Sequence, residues 1–265
     1  MKTIKIPNKK DIKIIAHRGG SLEVENTLGA FIASGVGSFY GIETDVYKTT
    51  DGKYIISHDE TTRRLMNGDY VVDETDYDTL RSLRFKPQEG RYDRYDLIMP
   101  DLQEYLDICK HYEKVAVIEI KKSISRETAK EVYKIVEDTG IIDNTIFISF
   151  NFNNLIYLRE INPNIPAQFL VDATESTLLQ KLTEQSFDLE MVNNVFKDTY
   201  QHAMLDVLKN HKIDLDVWDK STDLQLVEDC HERGILVNVF TPNTIEEANE
   251  FINMGVDFIT SNVLE

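Results

Sequence analysis

The sequence predicts an α/β fold in which a parallel sheet closes into a barrel of eight strands. Short runs rich in β-branched residues alternate with amphipathic stretches almost from end to end of the 265 residues. Repeated βα units of this kind place a parallel sheet beneath a layer of helices, so that both faces of the sheet are buried. The length is typical of one closed α/β barrel, and no Gly/Ser-rich linker divides the chain. We therefore expect a single domain over residues 1–265.

Ten apolar runs are candidates for the eight strands. The two weakest are Leu189–Val192 and Ile213–Val217, because Asp214 and Asp216 in the second run would be costly inside a sheet buried on both faces. The other candidates are Ile12–Ala16, Ile42–Val46, Tyr54–Ser57, Val115–Ile120, Thr145–Ser149, Ala167–Val171, Ile235–Phe240 and Val256–Thr260. Between many of these runs the apolar residues keep helical spacing, and we expect Asn26 to cap the first helix.

One segment interrupts the alternation of strands and helices. From Glu60 to Met99 the sequence has no clean period, many charges and several tyrosines. A stretch of this length inside a compact domain is usually functional. We therefore predict a small insertion at about residues 60–99, after the third strand and above the mouth of the barrel.

Composition and charge exclude several classes of function. The formal net charge of −17 repels nucleic-acid backbones and anionic membrane surfaces. The first residues lack the apolar core of a secretory signal, and no run approaches the roughly 18 apolar residues of a membrane span. The two cysteines, Cys109 and Cys230, lie in helical patterns without metal or redox spacing. We expect a cytoplasmic protein with buried structural thiols, no nucleic-acid partner and no stable membrane insertion; its oligomeric state is left open.

Titratable side chains follow each of the first four predicted strands. The pairs are His17-Arg18, Glu43-x-Asp45, His58-Asp59 and Glu119-x-Lys121. In a parallel α/β barrel the carboxyl ends of the strands meet at one mouth, and active sites lie there. Four consecutive strand ends of this composition are improbable by chance and predict a site.

The carboxylates in these pairs favour a metal site. Glu43 and Asp45 are two residues apart and so lie on one face of a strand, where their repulsion and lost hydration require compensation. A hard cation such as Mg²⁺ or Ca²⁺ provides it, and Glu119 offers a third carboxylate. Lys121 could hold a phosphate oxygen as a point charge. Taken alone, Glu43 and Asp45 are explained at least equally well as exposed carboxylates on a strand edge, and Glu119 and Lys121 are better explained as an ordinary ion pair.

The two histidines predict acid–base chemistry. His17 and His58 each follow an apolar strand, and two imidazoles can remove and deliver protons across one phosphoester. Arg18 adds a fork suited to phosphate, and the two glycines after it allow a close backbone turn. A single histidine in such a position is more often structural, but two beside three carboxylates indicate a functional pair.

Together these motifs resemble the glycerophosphodiester phosphodiesterase family over nearly the whole chain. The specific motifs are AHRG (Ala16–Gly19), ENT (Glu25–Thr27), E-x-D-V (Glu43–Val46), HD (His58–Asp59) and IEIK (Ile118–Lys121). Weaker matches are MPDLQEYL (Met99–Leu106), ISF (Ile148–Phe150), GILVNVFTPN (Gly234–Asn243) and GVDFITSN (Gly255–Asn262). The resemblance implies a TIM-type (β/α)8 barrel that hydrolyses glycerophosphodiesters to glycerol 3-phosphate and an alcohol.

The resemblance also implies roles for the strand-end residues, together with one divalent cation, Mg²⁺, Ca²⁺ or Mn²⁺. The implied metal ligands are Glu43, Asp45 and Glu119, the general base and acid are His17 and His58, and the phosphate-binding residues are Arg18 and Lys121. A glycerol hydroxyl could attack first and form a cyclic phosphate, or water could attack directly. The alcohol released and the metal are both left open.

The sequence departs from the family pattern at positions that shape the wall of the pocket. Phe240 stands where tryptophan is usual, and we assign it to substrate binding. Ser261-Asn262 replaces an ending that usually contains aspartate, and Val24 stands where proline is common. Trp218 is either a second wall residue or, as we expect, part of the core.

Other functions remain to be distinguished. A phospholipase D-like or cyclising phosphodiesterase acting on lysolipids would favour a longer apolar rim in the insertion, whereas charges and tyrosines predominate there. A barrel that binds phosphodiesters without turnover would be indicated by the loss of a histidine or carboxylate. A sugar-phosphate isomerase would need a late phosphate-binding glycine loop, which we do not find. Each of these functions implies a small-molecule partner.

Overall fold

Eight parallel strands form a closed barrel in a computed structural model, which describes residues 3–7, 12–86, 97–172 and 197–265. The described strands are β1 (Lys13–Ala16), β2 (Gly41–Lys48), β3 (Tyr54–Ile56), β4 (Val115–Ile120), β5 (Thr145–Ser149), β6 (Ala167–Val171), β7 (Asp214–Trp218), β8 (Val237–Phe240) and β9 (Phe258–Ser261). All except β3 run parallel, and the barrel closes because β1 pairs with both β9 and β2. The predicted TIM-type barrel is confirmed.

Helices cover the outside of this barrel. Those in the described ranges are α1 (Leu28–Val36), α2 (Tyr77–Ser82), α3 (Leu102–His111), α4 (Arg126–Thr139), α5 (Phe152–Ile161), α6 (Lys197–His211), α7 (Leu224–Glu232) and α8 (Ile245–Met254). Side chains on the outer face of the strands pack against them in one large core. A second apolar cluster, which includes Ile15, Val117, Ile146 and Leu170, joins the alternate residues of the strands. Both faces of the sheet are therefore occupied, as a parallel sheet requires.

Strand β7 forms from one of the two runs that the sequence made the weakest strand candidates. Leu215 and Val217 pack in the outer core, whereas Asp216 alternates to the opposite face, in register with Asn238 of β8. The expectation that this run was a weak candidate was wrong: Asp216 has apolar Leu170 of β6 on one side but the buried polar Asn238 of β8 on the other, and it lines a cavity. The other weak candidate, Leu189–Val192, lies outside the described residues.

The third strand precedes the insertion, as predicted, but is not a barrel strand. β3 pairs antiparallel with β2 in a hairpin, with Val46 opposite Ile56. The part of the insertion that the structure describes, which ends at residue 86 and resumes at 97, includes α2 and packs on this hairpin. The small core between them contains Tyr47, Ile55, Met66, Val72, Leu80, Leu83 and Met99.

The structure decides three local expectations. Thr27, and not Asn26, caps α1, because the Ala30 backbone N–H donates to Thr27 Oγ1 at 3.3 Å. Asn26 has a φ of 53°, and its side chain turns towards β2. Cys109 and Cys230 are both free and buried, as predicted. Within the described ranges, no helix combines the length and apolarity needed to cross a bilayer.

Candidate active site

The three predicted metal ligands lie side by side on β2 and β4. Glu43 and Asp45 share one face of β2, and Glu119 of β4 is directly opposite Asp45 in the register. Each residue offers an oxygen, and these oxygens all lie within 4.8 Å of one another. The three side chains are buried, with exposures of 2%, 0% and 6% in chain order. The parallel pairing therefore builds a compact acidic cluster that spacing along the chain could only suggest.

Few positive groups compensate the cluster. Lys121 Nζ lies 2.9 Å from Glu119 and 3.3 Å from Asp45. Asn26 Nδ2 donates to Asp45 Oδ2 at 2.8 Å, and the Arg18 backbone N–H donates to Glu43 Oε2 at 2.7 Å. Two cations, Lys121 and Arg18, thus face three carboxylates.

The pKa values show that the acidic cluster is under-compensated. Burial, with repulsion from Asp45 and Glu119, raises the pKa of Glu43 well above its ordinary range. Burial, with repulsion from Asp45, also raises the pKa of Glu119 to about 7. Burial opposes ionisation of Asp45 too, but Lys121 and other positive neighbours outweigh it and lower the pKa of Asp45.

The cluster fits a divalent cation. Asp45 Oδ1 is buried without a hydrogen-bond partner among the described residues. Lys121 Nζ lies 3.3 Å from this oxygen without hydrogen-bonding it, and a carboxylate oxygen that accepts no hydrogen bond, beside two further carboxylates, is a donor set suited to a hard cation such as Mg²⁺ or Ca²⁺. Such an ion would also relieve the mutual repulsion of the three buried charges.

His17 lies next to the acidic cluster and is held by a residue from the other end of the chain. Its Nδ1 is 2.8 Å from Asn262 Oδ1, and its Nε2 is 4.0 Å from Glu43 Oε2. Because an amide oxygen only accepts, this contact places the proton of neutral His17 on Nδ1 and leaves Nε2 as an acceptor. Burial, with the charge of Arg18, lowers the pKa of His17 to about 4.

His58 follows β3 and has a charged partner. Its Nδ1 is 2.8 Å from Asp59 Oδ1, and Arg64 Nε donates to the other oxygen of Asp59 at 2.6 Å. Arg64 also binds both oxygens of Glu25, at 2.9 and 2.6 Å. Burial lowers the pKa of His58 despite the opposing influence of Asp45. Arg64, which lies in the insertion, thus holds the Asp59 carboxylate that pairs with His58.

A cavity of about 180 Å³ joins these groups. It is lined by residues from β1 to β4 and the segments after them, namely His17, Arg18, Glu43, His58 and Glu119, and by residues from the later strands, namely Ile148, Phe150, Leu170, Asp216, Trp218, Phe240, Thr241 and Thr260. Asp45 and Lys121 do not line the cavity, but both lie next to Glu119, which does. The eight side chains singled out from the sequence are therefore gathered in one region.

Sequence reasoning missed several residues of this region. Trp218 was expected in the core, which was wrong: it is 39% exposed and lines the cavity. Asn26 was taken for a helix cap, although it hydrogen-bonds Asp45. Asp216 was counted against its strand, whereas an isolated acid within an apolar strand was the signal that could have placed it in the cavity. No local pattern indicated that Asn262 would contact His17.

A parallel barrel with titratable groups gathered at the carboxyl ends of its strands defines an α/β-barrel enzyme site. Residues 17–265 match the model of the glycerophosphoryl diester phosphodiesterase family, and the chain belongs to that family.

Relatives of known sequence agree with this membership. The chain is 24% identical over 252 residues to the glycerophosphodiester phosphodiesterase of Caldanaerobacter subterraneus, covering 94% of this chain and 93% of that protein. It is 31% identical over 157 residues to an uncharacterised protein of Bacillus subtilis, covering 58% of this chain and 64% of that one. The second match thus spans less than two thirds of the relative.

Solved structures share the fold. One is an Oleispira antarctica phosphodiesterase in complex with the product sn-glycerol-3-phosphate, with 24% identity, a TM-score of 0.78, and coverage of 95% of this chain and 93% of that chain. Another is the glycerophosphodiester phosphodiesterase of Thermotoga maritima, with 23% identity, a TM-score of 0.68, and coverage of 95% and 94%. At these identities the likeness shows the barrel fold.

Proposed function

We propose that this protein hydrolyses glycerophosphodiesters to glycerol 3-phosphate and an alcohol, in a reaction that depends on a divalent metal. The observation that carries the proposal is that His17, His58, Arg18 and two of the three carboxylates line one cavity. Family membership supports the reaction class. A cytoplasmic location and a role in lipid and glycerol metabolism stay predictions.

Glu43, Asp45 and Glu119 would hold the cation, which is Mg²⁺, Ca²⁺ or Mn²⁺. When bound, it supplies Lewis-acid stabilisation of the negative charge on the phosphate oxygens. Two hydrogen bonds orient the metal ligands: Asn26 donates to Asp45, and the Arg18 backbone N–H donates to Glu43. Lys121 neutralises part of the charge on Asp45 and Glu119.

The different partners of the two histidines favour separate roles. His17 is paired with a neutral amide, and its lowered pKa of about 4 keeps Nε2 unprotonated near neutral pH. It therefore serves as the base that takes a proton from the attacking hydroxyl or water. His58 is paired with the Asp59 carboxylate, whose pKa is lowered to about 2 although burial opposes this, because Arg64 and His58 bind it. Although burial lowers the pKa of His58, its carboxylate partner favours the imidazolium more than the amide partner of His17 does, so His58 serves as the acid that protonates the leaving alcohol.

Arg18 is placed to hold the phosphate. Its Nη1 donates to Glu25 at 3.0 Å, which fixes the guanidinium. Its Nε is buried without a hydrogen-bond partner among the described residues. A guanidinium donor of this kind suits a phosphate oxygen. Lys121 does not line the cavity but adds positive charge next to Asp45 and Glu119.

The size of the cavity favours a small diester. Its volume of about 180 Å³ is below the roughly 300–1,000 Å³ of pockets that enclose drug-sized ligands. The glycerophosphate part of a substrate matches that space better than the acyl chain of a lysolipid does. The structure favours neither a cyclic phosphate intermediate nor direct attack by water.

The test is release of the phosphate monoester product, which is glycerol 3-phosphate from a panel of glycerophosphodiesters and lysophosphatidic acid from one lysophospholipid. Each substrate is assayed with Mg²⁺, Ca²⁺ or Mn²⁺ and again with EDTA. We expect metal-dependent release from the small diesters that EDTA abolishes. Turnover of the lysophospholipid alone would favour the phospholipase D-like alternative, and binding without any turnover would favour a non-catalytic barrel.

A further inference from the structure

Asp216 is a buried carboxyl in the cavity that the proposed chemistry does not use. It stands on β7, is 1% exposed and lines the same cavity as His17 and His58. Its Oδ1 atom has no hydrogen-bond partner among the described residues. Burying a polar atom unpaired is costly. An unpaired carboxyl oxygen at a binding cavity therefore indicates a ligand group that completes it.

Asn238 hydrogen-bonds the Asp216 carboxyl, but its other hydrogen bonds go to neighbouring polar side chains. Asn238 Nδ2 donates to Gln168 Oε1 and to Thr260 Oγ1, both at 3.1 Å. Among the described residues, no lysine or arginine contributes to the electrostatic surroundings of Asp216, and the charge that acts on it is the repulsive one of Glu119. The protein itself therefore leaves the carboxyl without a cationic partner.

We propose that Asp216 is a specificity-determining residue that hydrogen-bonds a hydroxyl of the glycerol part of the substrate. The inference rests on the proposed function, since it assumes that the phosphate lies at the wall formed by Arg18, the histidines and the acidic cluster. β7, which carries Asp216, is four strands from β2 in either direction around the barrel, so this side of the cavity then receives the polyol carbons. Trp218 and Phe240 add aromatic surface to the same cavity.

The electrostatic surroundings favour a hydroxyl over an ammonium group. Burial, with repulsion from Glu119, raises the pKa of Asp216 well above its usual range. A protonated carboxyl both donates and accepts, which matches the donor and acceptor of an alcohol. An ammonium group would instead need an ionised partner. Sites built to hydrogen-bond a hydroxyl reject analogues that lack it strongly, because the buried polar group is then left unpaired.

Isothermal titration of metal-loaded protein with three phosphate monoesters tests the inference without requiring turnover. The ligands are glycerol 3-phosphate, n-propyl phosphate, which keeps the carbon chain but lacks the hydroxyls, and phosphoethanolamine. We expect the wild type to bind glycerol 3-phosphate roughly tenfold or more tightly than propyl phosphate. Asp216→Leu should abolish this preference by weakening glycerol 3-phosphate binding, while propyl phosphate should bind at least as tightly as it does to the wild type. Asp216→Ala, which adds no volume, should do the same and serves if the leucine variant does not fold.

Asp214→Asn is the matched control. Asp214 lies two residues earlier on β7, accepts a hydrogen bond from the Leu236 backbone N–H at 2.9 Å and does not line the cavity. This variant should keep the full preference for glycerol 3-phosphate.

Four outcomes overturn the proposal. A hydroxyl preference that survives in both the leucine and alanine variants excludes Asp216 as its source. A wild-type preference for phosphoethanolamine that these variants lose would assign Asp216 to an ammonium group instead. Equal wild-type binding of glycerol 3-phosphate and propyl phosphate refutes hydroxyl recognition, yet leaves diester hydrolysis intact as the proposed function. If no phosphate monoester binds, the phosphate site itself fails, and the proposed function falls with the inference.

Discussion

Glu43 is buried between two other carboxylates, so its negative charge opposes folding when no cation is bound. Glu43→Gln keeps the oxygen that accepts the Arg18 N–H but removes one of three repelling charges. We expect the free energy of unfolding in EDTA to rise by about 1 kcal/mol or more. Urea unfolding followed by circular dichroism measures it.

The same variant should lose the stabilisation that metal provides. A cation at 100 times its Kd stabilises the wild type by about 2.7 kcal/mol, and we expect a much smaller gain in Glu43→Gln. A variant that is less stable in EDTA and gains as much from metal as the wild type would contradict the role of Glu43 as a ligand.

The two histidines at the cavity should each be required for turnover. His17→Ala and His58→Ala should lower kcat by about 10²–10⁴-fold, the usual range for losing a positioned acid or base, while the thermal unfolding temperature changes little. Initial rates of glycerol 3-phosphate release measure this. His202→Ala is the control, because His202 is partly exposed and pairs with Asp229 on the outside of the barrel. Activity retained in both cavity variants would refute the acid–base assignment.

At the scale of elements, α3 begins at a residue with two functions. Asp101 accepts the Glu104 backbone N–H at 2.9 Å in a capping box, and it also accepts the Tyr77 hydroxyl of α2 at 2.7 Å. Asp101→Ala should therefore cost about 2 kcal/mol, at the upper end of the range for lost caps.

Asp223→Ala provides the comparison for this cap. Asp223 caps α7 by accepting the Leu226 backbone N–H at 2.9 Å. In the described structure no side chain from another helix or strand hydrogen-bonds Asp223. Its loss should cost about 1 kcal/mol. Equal losses in the two variants, measured by chemical unfolding, would show that the Tyr77 bond adds nothing.

The helices and strands were largely predictable from the sequence, because each βα unit packs an apolar helix face on an apolar strand and so repeats the same hydrophobic pattern. The direction of β3 was overlooked, although the sequence contained the signal. Only residues 49–53 separate it from β2, whereas a parallel crossover needs about a dozen residues or more. The acid in β7 was misjudged for another reason: local pattern does not show that its neighbour across the register is Asn238.

The site was predictable as a list of strand ends but not as a set of partners. Parallel strands deliver their carboxyl ends to one mouth, so Glu43, Asp45 and Glu119 could be grouped from the sequence. The contact of His17 with Asn262 spans 245 positions in the chain. It exists only because β9 closes the barrel against β1, which places the residue after β9 beside the residue after β1.

At the scale of the whole molecule, the net charge is −17, so many carboxylates are ionised at neutral pH. The free energy of unfolding therefore depends on which of these carboxylates the fold stabilises in the ionised form and which in the protonated form. Glu265 is favoured: its pKa is lowered to about 2 although burial opposes this, because Thr3 and Ser38 bind it. Its contribution is present above the unfolded pKa and is lost as the pH falls towards 2. Asp214 is disfavoured, since burial raises its pKa to about 6. Its contribution is fully present below the unfolded pKa and is lost as the pH rises to 6.

These opposite signs predict opposite effects of two isosteric substitutions. Asp214→Asn retains an oxygen for the Leu236 N–H and should raise the free energy of unfolding by roughly 2–3 kcal/mol at pH 7, since the pKa is raised by about two units and each unit corresponds to about 1.4 kcal/mol. At pH 4 the same substitution should have little effect, because Asp214 is then protonated in the folded protein. Glu265→Gln should lower stability at pH 7 and lose that effect as the pH falls. Urea unfolding of both variants across this range decides the matter: a stabilisation by Asp214→Asn that is independent of pH would show that the ionisation of Asp214 does not set its cost.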